Sequence, residues 1–231
     1  MQKDYEWGRH IEPPMNLVKR IKSKASEVSR HFFLFILGSK LRYFKKPSFP
    51  KNKDGKVLIH IGCGDFNDKR YINIDTRPGW HIHSTKKIED IESVFPKNFA
   101  DLIYACHILE HVPYANVPQV LKKTYSRLKK GGVLRLAVPN FEVITQMYQM
   151  GKSVKDILPP LMGGQGYPDN FHYTAFDKKF LTKLLLDAGF EKVRIWDPKT
   201  APYYDFKDWA GRTISLYGKE WPISLNVEAI K

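Results

Sequence analysis

Cysteine is scarce in this 231-residue chain, which contains only Cys63 and Cys106. Two cysteines are too few for a disulfide scaffold and suit a reducing compartment, so we expect a cytoplasmic protein. Long apolar runs are also missing, because the longest, residues 32–37, is far shorter than the roughly 18 residues that span a bilayer. Residues 1–6 lack the basic cluster and apolar stretch of a secretory signal, so none is expected.

Acidic residues are outnumbered by basic ones, and the net charge is +14. The excess is concentrated near the N-terminus: residues 1–53 hold 13 Lys and Arg against 4 Asp and Glu, whereas residues 54–231 hold 25 against 20. An apolar content of 42% excludes a wholly disordered chain. We therefore divide the chain into a basic arm with a linker, residues 1–53, and one folded domain, residues 54–231.

One face of the arm is apolar at helical spacing, which predicts a helix over residues 16–37. Its apolar residues recur three and four positions apart: Val18, Ile21, Ala25, Val28, Phe32 and Phe35. Such a face can pack on the neighbouring domain, lie on the anionic inner face of a membrane, or accompany nucleic-acid binding. The residues leave these roles open, with peripheral membrane contact favoured over nucleic acid.

The folded domain alternates short apolar runs with helical patterns, which is typical of a mostly parallel sheet covered by helices. Strands are predicted at residues 57–61, 71–74, 100–105, 133–138, 192–196 and 223–229, with a weaker one near residues 80–83. Helices are predicted at residues 114–129, 141–150 and 177–188. The basic and glycine residues 129–132 are expected to end the first of these helices.

The most informative stretch joins a buried strand, residues 57–61, to Gly62-Cys63-Gly64. Glycines at the end of a strand let the backbone turn sharply and approach a ligand closely. The next predicted strand ends at Asp75, whose carboxylate can accept hydrogen bonds from both hydroxyls of a ribose. The two features together predict a nucleoside-cofactor site, and a turn-capping role for Asp75 is the alternative.

Four segments in combination resemble the class I S-adenosylmethionine-dependent methyltransferases. They are residues 61–64, 73–75, 101–112 and 131–140. More narrowly, residues 170–173 and 223–229 resemble the predicted bacterial methyltransferases associated with cell-surface polysaccharide synthesis. The resemblance implies an α/β, Rossmann-like fold with a seven-stranded, mostly parallel sheet, helices on both faces and an antiparallel last strand.

The same resemblance implies S-adenosylmethionine as the cofactor, with the methionine part beside the glycines and the ribose beside Asp75. The cofactor-binding residues that it assigns are Gly62, Cys63, Gly64, Asp75, Thr76, Asp90, Ala105 and His107. Two positions depart from the family pattern. His60 stands where many members carry an acid, and the usual acidic contact to adenine has Asp90 or Glu89 as its only candidates.

Two histidines are candidate catalytic groups, because methyl transfer to an alcohol requires a base. His172 lies in a glycine-rich, aromatic segment, residues 163–173, of a kind that can cover an acceptor pocket. His111 is the second candidate. Asn140 and Tyr173 are the expected acceptor-binding residues.

A metal site is an alternative for the string His107-x-x-Glu110-His111. Histidines four positions apart can place two imidazoles on one metal ion. Pro113 limits the helix that would have to hold them, so we expect no metal.

The sequence therefore predicts a methyltransferase that O-methylates a sugar or sugar-linked group of a bacterial surface polysaccharide precursor. An RNA ribose methyltransferase is the closest alternative, but residues 54–231 carry only a modest positive charge for such a partner. A non-catalytic partner protein that binds the cofactor is the other alternative. The oligomeric state is left open.

Overall fold

The computed structural model describes residues 48–167, 169–216 and 218–231. The predicted arm helix lies outside these residues. Within the described ranges, no helix combines the length and the apolar character that a membrane span requires.

A six-stranded mixed sheet forms the centre of the domain. The eight strands of the described chain are β1 (Leu58–Ile61), β2 (Tyr71–Ile74), β3 (Ala100–Cys106), β4 (Leu128–Pro139), β5 (Lys192–Ile195), β6 (Thr213–Leu216), β7 (Lys219–Pro222) and β8 (Ser224–Ile230). The sheet order is β2-β1-β3-β4-β8-β5, while β6 and β7 form a separate hairpin. The first four strands of the sheet are parallel, and β8 is antiparallel to both of its neighbours. This topology confirms the predicted Rossmann-like fold class and its antiparallel last strand.

The strand predicted near residues 80–83 is reduced to one parallel bridge between Ile74 and Ser84, so the sheet has six strands and not seven. Two backbone hydrogen bonds hold the segment on β2, from His83 N to Asn73 O (2.8 Å) and from Asp75 N to Ser84 O (3.3 Å). A turn closes just before it, where Ile82 N donates to the carbonyl of Gly79. The segment therefore runs beside β2 for too short a distance to form a ladder.

Five α-helices connect the strands in the described chain: α1 (Ile91–Val94), α2 (Val117–Arg127), α3 (Phe141–Gln149), α4 (Val154–Met162) and α5 (Lys178–Asp187). The prediction that residues 129–132 end α2 is wrong, because these residues belong to β4. Gly131 N donates to Lys231 O (2.6 Å) and Lys231 N donates to Gly132 O (3.0 Å), so the glycines pair with the C-terminus. Helix α4 and the β6–β7 hairpin have no counterpart in the prediction.

The two faces of the sheet are covered differently in the described part of the chain. Helices α1, α2 and α5 pack on one face, burying side chains such as Ile91, Leu121 and Leu181 against the strands. The other face holds Tyr71 and Tyr104 and is covered by the segment 196–210, which has little helix.

Candidate functional site

A cavity of about 630 Å³ opens at the carboxyl ends of β1, β2 and β3. This edge of a parallel sheet is where ligands of doubly wound folds bind, and the volume is within the range of small-molecule sites. Most of the predicted site residues line it: Gly62, Cys63, Gly64, Asp75, Thr76, His107, His111, His172 and Tyr173. The fold thus brings together residues from four separate segments of the sequence.

The glycine loop is shaped for close approach. Gly62 has a φ of +67°, and a Cβ added there would lie 1.9 Å from Cδ1 of Ile108. Gly64 has a φ of +57°. Both conformations favour glycine, and at Gly62 a side chain would also enter space that Ile108 occupies. The loop therefore presents bare backbone to the cavity.

Asp75 fixes this loop from the end of β2. One oxygen of its buried carboxylate accepts a hydrogen bond from Gly64 N (2.8 Å), and the other accepts from Arg77 N (2.8 Å). Arg77 Nε also donates to Asp75 Oδ1 (3.3 Å). A carboxylate has about four lone-pair positions, so these three bonds leave acceptor capacity for about one further hydrogen bond from a ligand. Asp75 does cap the following turn, as the alternative prediction held, and it also lines the cavity.

Cys106 and His107 form the cavity wall at the end of β3. His107 has a φ of +53°, which is uncommon for a residue with a side chain, and its N–H donates to Ala137 O (2.8 Å). Burial lowers the pKa of His107 to about 3, and the imidazole is neutral at pH 7. Burial also raises the pKa of the Cys63 and Cys106 thiols, which are therefore protonated.

Three of the residues predicted for the site stand outside the cavity lining. Ala105 is buried within β3 behind Cys106, and Asp90 is exposed in a short 3-10 helix, where its neighbour Glu89 reaches the cavity. The Asn140 side chain caps α3 by accepting from Glu142 N (3.2 Å). Its predicted acceptor contact stays a prediction, and Pro139 before it lines the cavity.

In the segment 163–173, Gly164, Tyr167 and residues 169–173 line the cavity, and its role as a cover stays a prediction. Gly163 has a φ of +81°, and a Cβ there would lie 2.4 Å from the carbonyl oxygen of Asn170. The segment is attached at its end to the body, because Tyr173 N donates to Glu110 O (2.8 Å). An exposed ion pair joins Lys87 Nζ to Asp169 Oδ1 (2.9 Å), and both residues line the cavity.

The two candidate catalytic histidines lie side by side, with ring centroids 4.9 Å apart. His111 Nδ1 is 2.9 Å from Phe171 O, and His172 Nδ1 is 3.2 Å from Pro160 O. A carbonyl oxygen only accepts, so Nδ1 must carry the hydrogen in both rings and Nε2 keeps its lone pair. Burial lowers the pKa of both histidines, that of His172 to about 4, so both are neutral at pH 7.

Glu110 is fully buried beside this pair, and neither oxygen of its carboxyl group has a hydrogen-bond partner among the described residues. His107 Nδ1 is 3.4 Å from Glu110 Oε1, but it brings no hydrogen. Ser224 Oγ donates to Trp209 O (2.9 Å) and must accept from His107 Nε2 (2.8 Å), which leaves Nδ1 unprotonated. Burial raises the pKa of Glu110 to about 8, so at pH 7 its side chain is mostly the neutral carboxylic acid.

Some lining residues come from elements that the sequence did not reveal. Pro159 and Pro160 belong to α4, and prolines inside a helix are a poor signal for one in the sequence. Asp208 lines the cavity while accepting hydrogen bonds from Tyr104 and Tyr204, and Trp209 lies beside it. The polar aromatic stretch 203–209 predicts either an acceptor-pocket wall or packing over the sheet edge, and Asp208 and Trp209 are the two of its residues that line the cavity.

A family model described as a methyltransferase domain matches residues 33–195, more than half of the chain. The chain belongs to this family. It is an S-adenosylmethionine-dependent methyltransferase, in agreement with the prediction of the enzyme class and of its cofactor. No curated protein matches the chain.

Solved structures of S-adenosylmethionine-dependent methyltransferases are similar to this chain at low identity. One, from Archaeoglobus fulgidus, is 15% identical, with 85% of this chain and 93% of that chain covered and a TM-score of 0.48. Another, from Mesorhizobium loti, is 16% identical, with 84% and 96% covered and a TM-score of 0.46.

The cavity fits this cofactor. The loop from Gly62 to Gly64 lines the cavity with bare backbone, and Asp75 retains acceptor capacity at the end of β2. These residues would hold the methionine part and the ribose, while Glu89 is the acidic residue closest in position to the predicted adenine contact. The wall formed by Cys106 and His107 completes the same side.

Proposed function

We propose that this methyltransferase transfers the methyl group to a hydroxyl of a sugar or sugar-linked group in a bacterial surface polysaccharide precursor. One observation carries the proposal of an oxygen acceptor: His111 and His172 present two neutral imidazoles with Nε2 lone pairs in the cofactor cavity. A hydroxyl must lose its proton on transfer, and neutral imidazole is the usual group that accepts it.

The chain mainly aligns the reacting atoms, since the displacement is in line and positioning supplies much of the rate. When bound, S-adenosylmethionine supplies the methyl group; a bond forms between the acceptor oxygen and the methyl carbon, and the carbon–sulfur bond breaks with its electron pair left on sulfur. His172 accepts the hydroxyl proton at Nε2, and His111 sits beside it. The carbonyl of Pro160 holds the His172 ring in the tautomer that this requires.

Aromatic rings around the cavity support a sugar as the acceptor. Trp209 lines the wall, and Phe171 stacks on Tyr173 with centroids 6.5 Å apart and an interplanar angle of 26°. Tyr173 is 55% exposed and stands at the rim. A mostly apolar wall with a few polar groups suits a ring that has both apolar faces and hydroxyls. The assignment to surface polysaccharide rests on the resemblance at residues 170–173 and 223–229.

The proposed location is the cytoplasm, with the basic arm in contact with the inner face of the membrane. Sugars on lipid carriers lie at this surface, so contact there would bring the cavity to them. Vesicle co-sedimentation tests the contact by comparing the full chain with a chain that begins at Lys51. Anionic vesicles should retain the full chain more strongly, and equal partitioning would contradict the membrane role.

Methyl transfer from labelled S-adenosylmethionine to two acceptor classes tests the reaction. We expect label in nucleotide-activated hexoses or a polyprenyl-linked sugar, and none in an RNA oligonucleotide. His172→Gln should lower transfer about 100-fold or more, the usual scale for loss of a general base. His83→Gln is the matched control, because His83 lies outside the cavity lining and glutamine can still accept from Asn73 N.

The remaining outcomes distinguish the alternatives. Label in RNA, with binding that weakens steeply as salt rises, would favour the ribose methyltransferase. Binding of S-adenosylhomocysteine without transfer to either class would favour a non-catalytic partner protein.

A further inference from the structure

Glu110, His111 and His172 form a compact group within the cofactor cavity. One ligand atom from each residue lies within 4.8 Å of the ligand atoms of the other two. Two atoms bound to the same zinc ion at about 2.1 Å lie at most about 4.2 Å apart. The separations exceed this limit by at most about 0.6 Å, so small side-chain movements would bring one ligand atom of each residue onto one ion.

The carboxylate supplies an independent reason to expect a ligand. Glu110 is 0% exposed and neither of its oxygens has a hydrogen-bond partner. The nearest candidate donor, His107, uses its only N–H on Ser224. A buried polar group without a partner costs about 1–3 kcal/mol, so such groups call for an explanation such as a bound ion.

The ring nitrogens of His111 and His172 have the hydrogen-bonding pattern that is typical of metal-binding histidines. In each ring Nδ1–H donates to a backbone carbonyl, that of Phe171 for His111 and that of Pro160 for His172. Metal-binding histidines typically make this outer hydrogen bond, which fixes the ring and leaves Nε2 free to coordinate.

We propose that Glu110, His111 and His172 bind one divalent first-row transition metal ion in the acceptor half of the cavity. Two imidazoles and one carboxylate are a ligand set for zinc, iron or manganese, whereas magnesium and calcium prefer oxygen ligands throughout. This ligand set differs from the one considered for the string His107-x-x-Glu110-His111. Its second histidine is His172 of the covering segment and not His107. Three protein ligands leave a position at which an acceptor oxygen can bind.

The chemical role of this ion rests on the proposed O-methyl transfer, but its binding does not. An Nε2 lone pair cannot coordinate an ion and accept a proton at the same time, so a bound ion would replace His172 in the proposed proton step. The ion would lower the pKa of an acceptor hydroxyl bound to it, the proton would pass to bulk water, and the resulting alkoxide oxygen would attack the methyl carbon. Metal binding therefore has to be measured alone, before any acceptor is added.

Calorimetric titration of the untagged full chain with Zn²⁺, after dialysis against a chelator, measures this directly. We expect one equivalent to bind. Glu110→Gln and His172→Gln should each weaken binding at least about 100-fold, because even loss of an outer partner typically costs 10–100-fold. Asp169→Asn is the matched control, since it removes a carboxylate of the same cavity that lies outside the group, and it should leave the zinc affinity unchanged.

Glu110→Gln keeps the side-chain volume, and S-adenosylhomocysteine binding by each variant verifies that it folds. Equal zinc affinity in Glu110→Gln and the unaltered chain would overturn the site. Cobalt gives a second readout: a visible absorption band in the Co²⁺-loaded chain, lost in Glu110→Gln, supports coordination by these residues. If chelated protein transferred methyl groups at an unchanged rate, the role of the ion would be overturned separately from the O-methyl transfer.

Discussion

On the cofactor side of the cavity, formed by residues 62–64 and Asp75, the polar groups are paired with one another. Both carboxylate oxygens of Asp75 accept backbone hydrogen bonds, and the N–H groups of Gly62 and Cys63 donate to Ile74 O. On the acceptor side, formed by Glu110, His111 and His172, two Nε2 lone pairs and a whole carboxylate are left without donors. The backbone of the cofactor side is therefore held by hydrogen bonds within the protein, whereas the acceptor side keeps groups that can accept a proton or bind a ligand.

This difference follows from what each side has to bind. A cofactor that always enters in the same orientation is best met by a backbone frame that is rigid before binding. Groups that accept a proton or coordinate a metal must keep their lone pairs, and the protein achieves this by burying them away from donors. The burial of Glu110 is therefore a cost to stability that function explains.

The largest expected effect comes from adding a side chain at Gly62 in the loop of residues 62–64. In Gly62→Ala the φ of +67° and the contact with Ile108 force the loop or that side chain to move. We expect S-adenosylhomocysteine to bind about 10–100-fold more weakly, which corresponds to strain of about 1–3 kcal/mol. Calorimetric titration measures this affinity. Gly166→Ala is the control, because no described atom lies within 4 Å of the Cβ that it adds. Equal affinities in the two variants would contradict the role of Gly62 in holding the cofactor side rigid.

A smaller effect is expected from His60, a buried histidine of β1 that lines the cavity beside residues 62–64. Its Nδ1 has no hydrogen-bond partner among the described residues, so the pairing described above holds for residues 62–64 and Asp75 and does not extend to His60. Its ring packs among Tyr71, Tyr104 and Phe206, and burial lowers its pKa to about 4. In the unfolded chain His60 becomes protonated below about pH 6.5, whereas in the folded chain it stays neutral down to about pH 4. The free energy of unfolding therefore falls as the pH drops from 6.5 towards 4. His60→Phe should reduce this loss by about 1–2 kcal/mol at pH 5.

Denaturant unfolding at pH 5 and pH 7, for the unaltered chain and His60→Phe, provides the numbers. The variant should show the flatter dependence on pH, with the remaining slope due to other buried histidines. If the free energy of unfolding depended on pH identically in both proteins, His60 would have to become protonated in the folded chain as readily as in the unfolded chain. Burial would then not lower its pKa.

The smallest effect is expected where the two sides meet at the surface. Lys87 and Asp169 form an ion pair of 2.9 Å, but both side chains are half exposed. Exposed pairs contribute about 0–1 kcal/mol and are screened by salt. Lys87→Ala should therefore change the free energy of unfolding by less than about 1 kcal/mol. A larger loss, or a change of more than about threefold in S-adenosylhomocysteine affinity, would show that this pair belongs to the cofactor frame.

The cofactor side was predictable because its signals are local. Buried strands leading into Gly62 and Asp75 place both residues at the same sheet edge once the strands are parallel. The strand pattern likewise indicated the Rossmann-like topology. Local signals do not tell which residue is exposed in a short turn, and Asp90 therefore points away from the cavity that Glu89 lines.

The acceptor side depends on contacts between distant residues. Glu110 and His172 meet only because the covering segment returns to the end of β3, where Tyr173 N and Thr174 N both donate to Glu110 O. In the same way, residues 129–132 extend a strand because they pair with Lys231. Helix propensity and glycine position cannot express such long-range pairing, since tertiary contacts override them.

The division of labour between the two sides is tested most directly by calorimetric titration with S-adenosylhomocysteine of three proteins: the unaltered chain, Asp75→Asn and His172→Gln. We predict one equivalent bound, affinity weakened by about 1–3 kcal/mol in Asp75→Asn, and affinity within about threefold of the unaltered chain in His172→Gln. Absence of binding to the unaltered chain, or equal weakening by both substitutions, would contradict the account.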